Sequence, residues 1–401
     1  MLRHRLYAAT VATALGLAIT VPTSHATPGQ LPLGAANLSE TRTTTTLAAG
    51  ITRTRIVRGT TPASPDEINT TDQGPWVVNE VLIDPVKAKG RLEATYGPDL
   101  ARTETVSDLV GFAGGLIGTN ASFFTFTASK DYPGDPVGLG LYGGKLLSNP
   151  TTDPAEQDVV FDGQTGKMLF GKVQWAAKAV NARTGDSIDI DAVDHPPSAT
   201  GETDWITPDF GSRTPSGPGA EIVLDKRGCI VRSNWTTRGT ALATGQSSVQ
   251  ATGADATALQ TVTGAAGCLS FRQSVTDAFG QRIPLTKKTF GVNGRYRLTA
   301  DGQVVAPPGT GSFFDRNPRT IFGRTADGKI ALVTIDGRMA SSVGTTVAES
   351  AAVAKSLGLV DAVNLDGGGS TTLATASGPL NTPSGAANAE RLVGDALVWV
   401  P

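Results

Sequence analysis

The sequence predicts an α+β protein, β-rich, with a mixed β-sheet core and a few short helices. Three observations lead there. Charged residues make up only 17% of the 401, beside 48 Gly and 24 Pro, a balance suited to turns and strands rather than long surface helices. Short runs of alternating apolar and polar residues recur between turn signals. Helix start and stop signals are clearest at one place, Thr346 to Gly358. The net charge of −2 gives no general attraction to nucleic acid or to an anionic membrane, so no nucleic-acid partner is expected.

The first residues read as an address. Arg3 and Arg5 precede an almost wholly apolar or small stretch from Leu6 to Val21, and Ser24-His25-Ala26 fits a small-x-small cleavage site. Residues 1–26 are expected to be a signal peptide, and the mature chain secreted or extracellular. The apolar run is short for a span and ends at Pro22, and no later segment is apolar enough for stable membrane insertion. Residues 27–50, rich in Thr, Ala, Gly and Pro without a period, read as a flexible leader. Residues 51–401 read as one domain, with about 185–280 a variable β-rich region inside it.

The elements follow in order. Ile51 to Ile56 alternates, and Trp76 to Ile83 reads as a strand closed by Asp84-Pro85. Thr103 to Val110 reads as a short helix, with Thr105 as cap and Asp108 three residues on. The Pro- and Gly-dense stretch from about 132 to 150 is expected to be a long surface loop. Ser187 to Asp191 and Glu221 to Asp225 alternate. Asp189 and Asp191 share a strand face, as solvated carboxylates or as a metal pair. Lys329 to Ile335 is a strand between the turns Asp327-Gly328 and Asp336-Gly337. Thr346 and Glu349 form a capping box, an Ala-rich interior follows, and Gly358 ends the helix. The strand–helix–strand order over 329–366 suggests a local parallel crossover. Ala396 to Val400 is a last apolar strand. Cys229 and Cys268, the two cysteines, are expected to pair outside the cytoplasm. Closing a loop of about 40 residues contributes on the order of 3–4 kcal/mol. Two cysteines and three histidines make a zinc site a poor expectation.

Three polar clusters stand at the edges of apolar segments. The most telling is Val363-Asn364-Leu365-Asp366-Gly367-Gly368-Gly369-Ser370-Thr371-Thr372. Asn364 and Asp366 share one strand face, and three glycines carry an entropic cost that a plain turn does not need. They let backbone N–H groups approach a ligand as a nest. The second cluster is Asn120 with Ser122, Phe123 and Phe124, and the third is Arg319 with Thr320. Each has a plain structural reading as well: Asn120 as a turn cap, Phe123 and Phe124 as core, Arg319 as a surface side chain, Asp366-Gly367 as an ordinary tight turn. Glu349 is a further candidate acid or base, although its capping box explains it fully. Asn120-Ala121-Ser122 and Asn234-Trp235-Thr236 also fit the glycosylation sequon, a frequent chance match.

Taken together, Asn120-Ala121-Ser122-Phe123-Phe124, Asn317-Pro318-Arg319-Thr320, Asp336-Gly337-Arg338, Glu349 and the 364–372 run resemble the phosphodiester glycosidase family. The resemblance runs from about 75 to 401 and is strongest after 315. Two departures concern substrate fit. Ala121 stands where the family has Gly, and Ile321-Phe322 is bulkier than the family's pair before Gly323. The resemblance implies a hydrolase that cleaves the sugar C1–O bond of a sugar-1-phosphodiester. Its implied catalytic residues are Asp366, Arg319 and Asn120. Asp366 would act as nucleophile, base or stabilising carboxylate, and Arg319 would hold the phosphate. Thr320, Asn364, Gly367, Gly368, Gly369, Ser370 and Thr371, with Phe123 and Phe124, would bind substrate.

Two alternatives stand beside this reading. A metal-dependent phosphodiesterase would break P–O, with Asp366 and Asp189 or Asp191 as ligands. A non-catalytic surface protein would keep only a glycan pocket. No cofactor is read from the sequence, and a divalent cation is left open. The expected partner is a carbohydrate phosphodiester.

Overall fold

The computed structural model describes residues 29–126, 129–198, 200–264 and 267–401. The expected signal peptide lies outside the described residues. The largest sheet has eight strands, in the spatial order Glu40–Ala48, Ile51–Arg58, Trp76–Ile83, Ile330–Ile335, Arg319–Thr325, Leu359–Asn364, Arg297–Ala300 and Gln303–Val304. Every neighbouring pair in it is antiparallel. Successive side chains pass to opposite faces. Ile321 thus enters one apolar cluster, with the helix Val347–Ser356, and Phe322 enters the other. With both faces covered, Ile330–Ile335 is buried along its whole length.

The second cluster is closed by two five-stranded sheets. One is ordered Gly378–Pro379, Leu373–Thr375, Ile117–Asn120, Ala396–Val400 and Arg91–Thr95. The other is ordered Lys145–Ser148, Gly140–Tyr142, Thr289–Arg295, Glu156–Asp162 and Met168–Gly171. Between Met168–Gly171 and Thr289–Arg295 the chain builds separate sheets. Val173–Asn181 pairs with Ser187–Ile190 and Leu269–Asp277, and a five-stranded sheet lies beside them around its own apolar cluster.

The structure is β-rich with few helices, as expected, but the core is not mixed. Among the described residues the one parallel ladder is Ala192–Val193 with Asp204–Trp205. Ile330–Ile335 and Leu359–Asn364 do run the same way, joined by the Val347–Ser356 helix. They are not neighbours, because Arg319–Thr325 lies between them and pairs antiparallel with both. Residues 27–50 are not a loose leader where described. Glu40–Ala48 pairs in register with Ile51–Arg58, and Leu31 and Leu33 are buried. The Thr-rich run has β propensity, and its lack of apolar period reflects an edge strand that faces solvent. The 132–150 stretch is not one surface loop either. Its glycines bracket Gly140–Tyr142 and Lys145–Ser148, whose apolar side chains are buried. The helix Gly253–Thr263 was unforeseen within the β-rich middle region.

Candidate active site

The 364–372 run lies where the chain leaves one sheet and enters another. Leu359–Asn364 belongs to the eight-stranded sheet and Leu373–Thr375 to the sheet holding Ile117–Asn120. Asp366 and the glycines form the link, so groups from both sheets converge on them.

Asn120 fastens this link from below. Its Nδ2 donates to the Asp366 carbonyl at 2.6 Å, and its Oδ1 accepts from Thr320 Oγ1 at 2.8 Å and from the Thr372 amide at 3.1 Å. The Asp366 amide donates to the Ala121 carbonyl at 3.0 Å. One buried amide therefore ties together all three predicted clusters. Asn120, Thr320, Thr371 and Asn364 are each no more than 1% exposed, so they support the turn rather than face solvent. Asn364 donates to the Leu365 carbonyl, and its own Oδ1 is buried without a partner.

The Asp366 carboxylate reaches solvent, with its side chain 13% exposed. Its Oδ1 accepts from the Gly367 amide at 2.9 Å. Its Oδ2 accepts from the Ser370 hydroxyl and lies 3.3 Å from Arg391 Nη2, which also donates to Ser370 Oγ. Burial raises Asp366 to about 6, and Ser370, Arg391 and the Gly367 amide oppose that rise. Nearby Asp395 is 1% exposed and engaged with the Ser122 amide and hydroxyl and with Tyr142. Burial raises its pKa as well.

The three glycines make room for the Pro318 carbonyl and for two arginine side chains. A Cβ at Gly367 would fall 2.9 Å from the Pro318 carbonyl and 3.9 Å from Arg319 Cδ. One at Gly368 would fall 3.1 Å from Arg338 Nη2, and one at Gly369 would fall 3.0 Å from Arg391 Nη1. Gly368 also has φ +59°. The Gly367 and Gly368 amides are engaged internally, with Asp366 and with the Pro318 carbonyl. The expected nest of free N–H groups is not formed by these two; cationic side chains stand over the turn instead.

Arg319 is not on the open face. It is 3% exposed, and its Nε and Nη2 donate to the carbonyls of Thr345, Phe313 and Asp315. Burial, and then the charge of Arg338, bring it down to about 10. Arg338 and Arg391 do face outward. Arg338 is exposed and holds Asn317 Oδ1 at 2.8 Å. Among the described residues it has no ion-pair partner. Arg391 stacks on Phe126, 4.6 Å from the ring centroid. Sequence reasoning missed both as site residues. Arg338 lay inside a quoted motif, whereas Arg391 sits in the loop before the last strand with no local signal.

Phe124 is 8% exposed in the core, whereas Phe123 is half-buried and packs on Phe313 at 6.0 Å. Glu349 closes the capping box on Thr346 and binds Arg316 through both oxygens at 2.8 Å, so it is not in the Asp366 network. Asp189 pairs with Lys178 on a different sheet, and Asp191 accepts from the Thr203 amide. Neither is brought to Asp366. Among the described residues no group of three or more His, Cys, Asp or Glu is arranged to hold a metal ion, and no helix is long and apolar enough to cross a membrane. Cys229 and Cys268 form the expected disulfide.

The fold and site define a β-sheet protein with a carboxylate on a glycine link, flanked by cations suited to an anionic ligand. Residues 218–400 match the family model described as phosphodiester glycosidase. Asn120 lies outside the matched residues. No curated protein matches the chain. A Burkholderia pseudomallei K96243 crystal structure, described as an exported protein, aligns over 93% of this chain and 99% of that chain, at 24% identity and TM-score 0.79. A hypothetical protein from Synechocystis aligns over 92% and 69%, at 17% identity and TM-score 0.66. These two likenesses establish the fold. The zebrafish N-acetylglucosamine-1-phosphodiester alpha-N-acetylglucosaminidase catalytic domain, auto-inhibited by its pro-peptide, aligns over 90% and 88%, at 12% identity and TM-score 0.44.

Proposed function

We propose that the chain is a secreted hydrolase of sugar-1-phosphodiesters from surface glycans or their fragments, breaking the sugar C1–O bond. The observation that carries this reading is the pairing of one solvent-reaching carboxylate, Asp366, with the outward guanidiniums of Arg338 and Arg391 across Gly368 and Gly369. Ordinary glycosidases use two carboxyl groups because the leaving alkoxide must be protonated. A phosphomonoester leaves as a stable anion and needs cations instead. One carboxylate and two guanidiniums fit that division of labour.

In the reaction, the C1–O bond breaks and its electron pair stays with the phosphate, where Arg338 and Arg391 bind the charge. Positive charge grows at C1, and Asp366 offsets it. Water adds to C1, and its proton passes to Asp366 and on to solvent. With a pKa raised to about 6, Asp366 is mostly ionised at neutral pH and close enough in affinity to accept that proton.

The test is hydrolysis of a sugar-1-phosphodiester in oxygen-18 water. Label in the released sugar supports the reading. Label in the phosphate would transfer it to a P–O-cleaving phosphodiesterase.

A further inference from the structure

We propose that Asn317 is a positioning residue for the phosphate: it aims the Arg338 guanidinium over the glycine turn while leaving its charge uncompensated. This rests on the hydrolase reading above.

The Asn317 amide has one orientation open to it. Its Nδ2 donates to the Ser312 carbonyl at 2.9 Å and to the Asp315 carbonyl at 3.1 Å. Its Oδ1 is thereby turned outward, where it accepts from Arg338 Nε at 3.2 Å and Nη2 at 2.8 Å. Acceptors lie on one side of the amide and donors on the other, so a flipped amide would lose every one of these bonds. The buried Arg319 braces the same loop, because its Nη2 donates to the Phe313 and Asp315 carbonyls.

Asn317 also stands in fixed register with the glycine turn. Its own amide and carbonyl pair with Thr345 at 3.0 and 2.9 Å, and the next carbonyl, that of Pro318, accepts from the Gly368 amide at 2.9 Å. A Cβ at Gly337 would fall 2.7 Å from the Pro318 nitrogen, so the chain entering Arg338 packs on the same segment. Arg338 itself has φ +62°, a left-handed backbone uncommon outside glycine. Such backbones persist where their surroundings over-determine them, and they cluster at ligand sites.

The neutrality of the acceptor decides what Arg338 can do. Arg391 is paired with Asp366. Arg338 is held by an amide oxygen instead, and its Nη1 makes no hydrogen bond among the described residues. A carboxylate at position 317 would grip the guanidinium but also neutralise it. An amide fixes its direction and leaves the full charge, with Nη1, for a phosphate oxygen.

The test is calorimetric titration of inorganic phosphate into wild type, Asn317→Ala, Arg338→Ala, the double variant and Arg338→Lys, each checked for folding by circular dichroism. Asn317→Ala should weaken binding about fivefold, the cost of ordering one long side chain at the moment of binding. In the Arg338→Ala background the same substitution should add nothing. Arg338→Lys keeps the charge but cannot fork onto one oxygen, so it should bind as weakly as Asn317→Ala. It leaves the Asn317 bonds to its own loop untouched, and it decides the matter even where Asn317→Ala does not fold. In turnover of a sugar-1-phosphodiester, Asn317→Ala should raise KM and keep kcat within about twofold. The assignment is overturned if folded Asn317→Ala binds phosphate as wild type does, or loses the same factor with and without Arg338. It is equally overturned if Arg338→Lys matches wild type, or if wild type binds no phosphate. None of these results touches the oxygen-18 test. If the coupling to Arg338 is found but no diester is hydrolysed, the positioning role toward phosphate stands and the hydrolase reading falls.

Discussion

Arg391 Nη2 lies 3.3 Å from Asp366 Oδ2 and also donates to Ser370, whose hydroxyl donates to the same carboxylate oxygen. Cation, hydroxyl and carboxylate thus form a closed triangle over Gly369. Gly369 leaves room for Arg391 to close the triangle, since a Cβ there would fall 3.0 Å from Arg391 Nη1. It also sets the protonation of Asp366, where burial pushes upward and the triangle pulls back.

Asp366 should cost stability in exchange for its chemistry. Its folded pKa, about 6, exceeds the unfolded value near 3.9. A carboxyl shifted upward stabilises the fold while protonated. That contribution is complete below about pH 4 and disappears as pH rises through about 6. Asp366→Asn should therefore raise the melting temperature near pH 7.5, by on the order of 1–3 kcal/mol in stability. It should change little near pH 4, and it should abolish turnover. Thermal melts at the two pH values check this; a loss of stability at both would contradict the stated environment of Asp366.

Arg391 and Arg338 should differ in effect although both face the turn. Arg391→Ala removes a charge beside the carboxylate and should lower kcat/KM by about 10²–10³. It also removes an influence that lowers the Asp366 pKa, so the acidic limb of the pH–rate profile should move above about 6. Arg338→Ala should act mainly through KM, by about tenfold, with the acidic limb in place. A pH series of kcat/KM for both variants separates these outcomes. Equal profiles would remove Arg391 from its proposed role.

Asn120→Ala should damage both fold and turnover. The substitution leaves the Thr372 amide without its side-chain acceptor in a buried site, and the Thr320 hydroxyl with only its longer 3.4 Å bond to Thr371 Oγ1. Unpaired buried groups cost about 1–3 kcal/mol each. The expected loss is about 2–4 kcal/mol, read from urea midpoints. Turnover should fall even where the protein is fully folded, because the Asp366 backbone loses its tether. Unchanged kcat in the folded variant would show that the turn keeps its geometry without Asn120.

The 364–372 run was legible because it breaks local economy: three glycines and an acid at a strand end serve no simple turn. The three clusters were legible as a set, and Asn120 joins them physically through Thr320, Asp366 and Thr372. Their division into open and buried members was not legible. Arg319 and Arg391 look alike in sequence, and only the folded chain shows that the Thr345, Phe313 and Asp315 carbonyls engage the buried Arg319 guanidinium. The Glu40–Ala48 strand escaped notice for a related reason. An edge strand facing solvent on both sides carries no apolar period to read.

Glu349 should prove dispensable for chemistry. It was attractive as a second acid, yet both its oxygens are taken. Oε2 accepts from the Thr346 amide and Arg316 Nη1, and Oε1 accepts from Arg316 Nη2. Arg316 is nearly buried, and it also donates to the Gly344 carbonyl at 2.8 Å. Glu349→Ala would remove a capping box worth about 1 kcal/mol and leave a buried guanidinium without its counter-ion. The expected destabilisation is about 2–4 kcal/mol, at the lower end if Arg316 can reach water. Because the Asp366 network does not include Glu349, kcat of the folded variant should stay within about twofold of wild type and its pH profile should not move. Calorimetry and a pH series on the same preparation check both halves. A shifted pH profile with unchanged stability would return Glu349 to the list of catalytic groups.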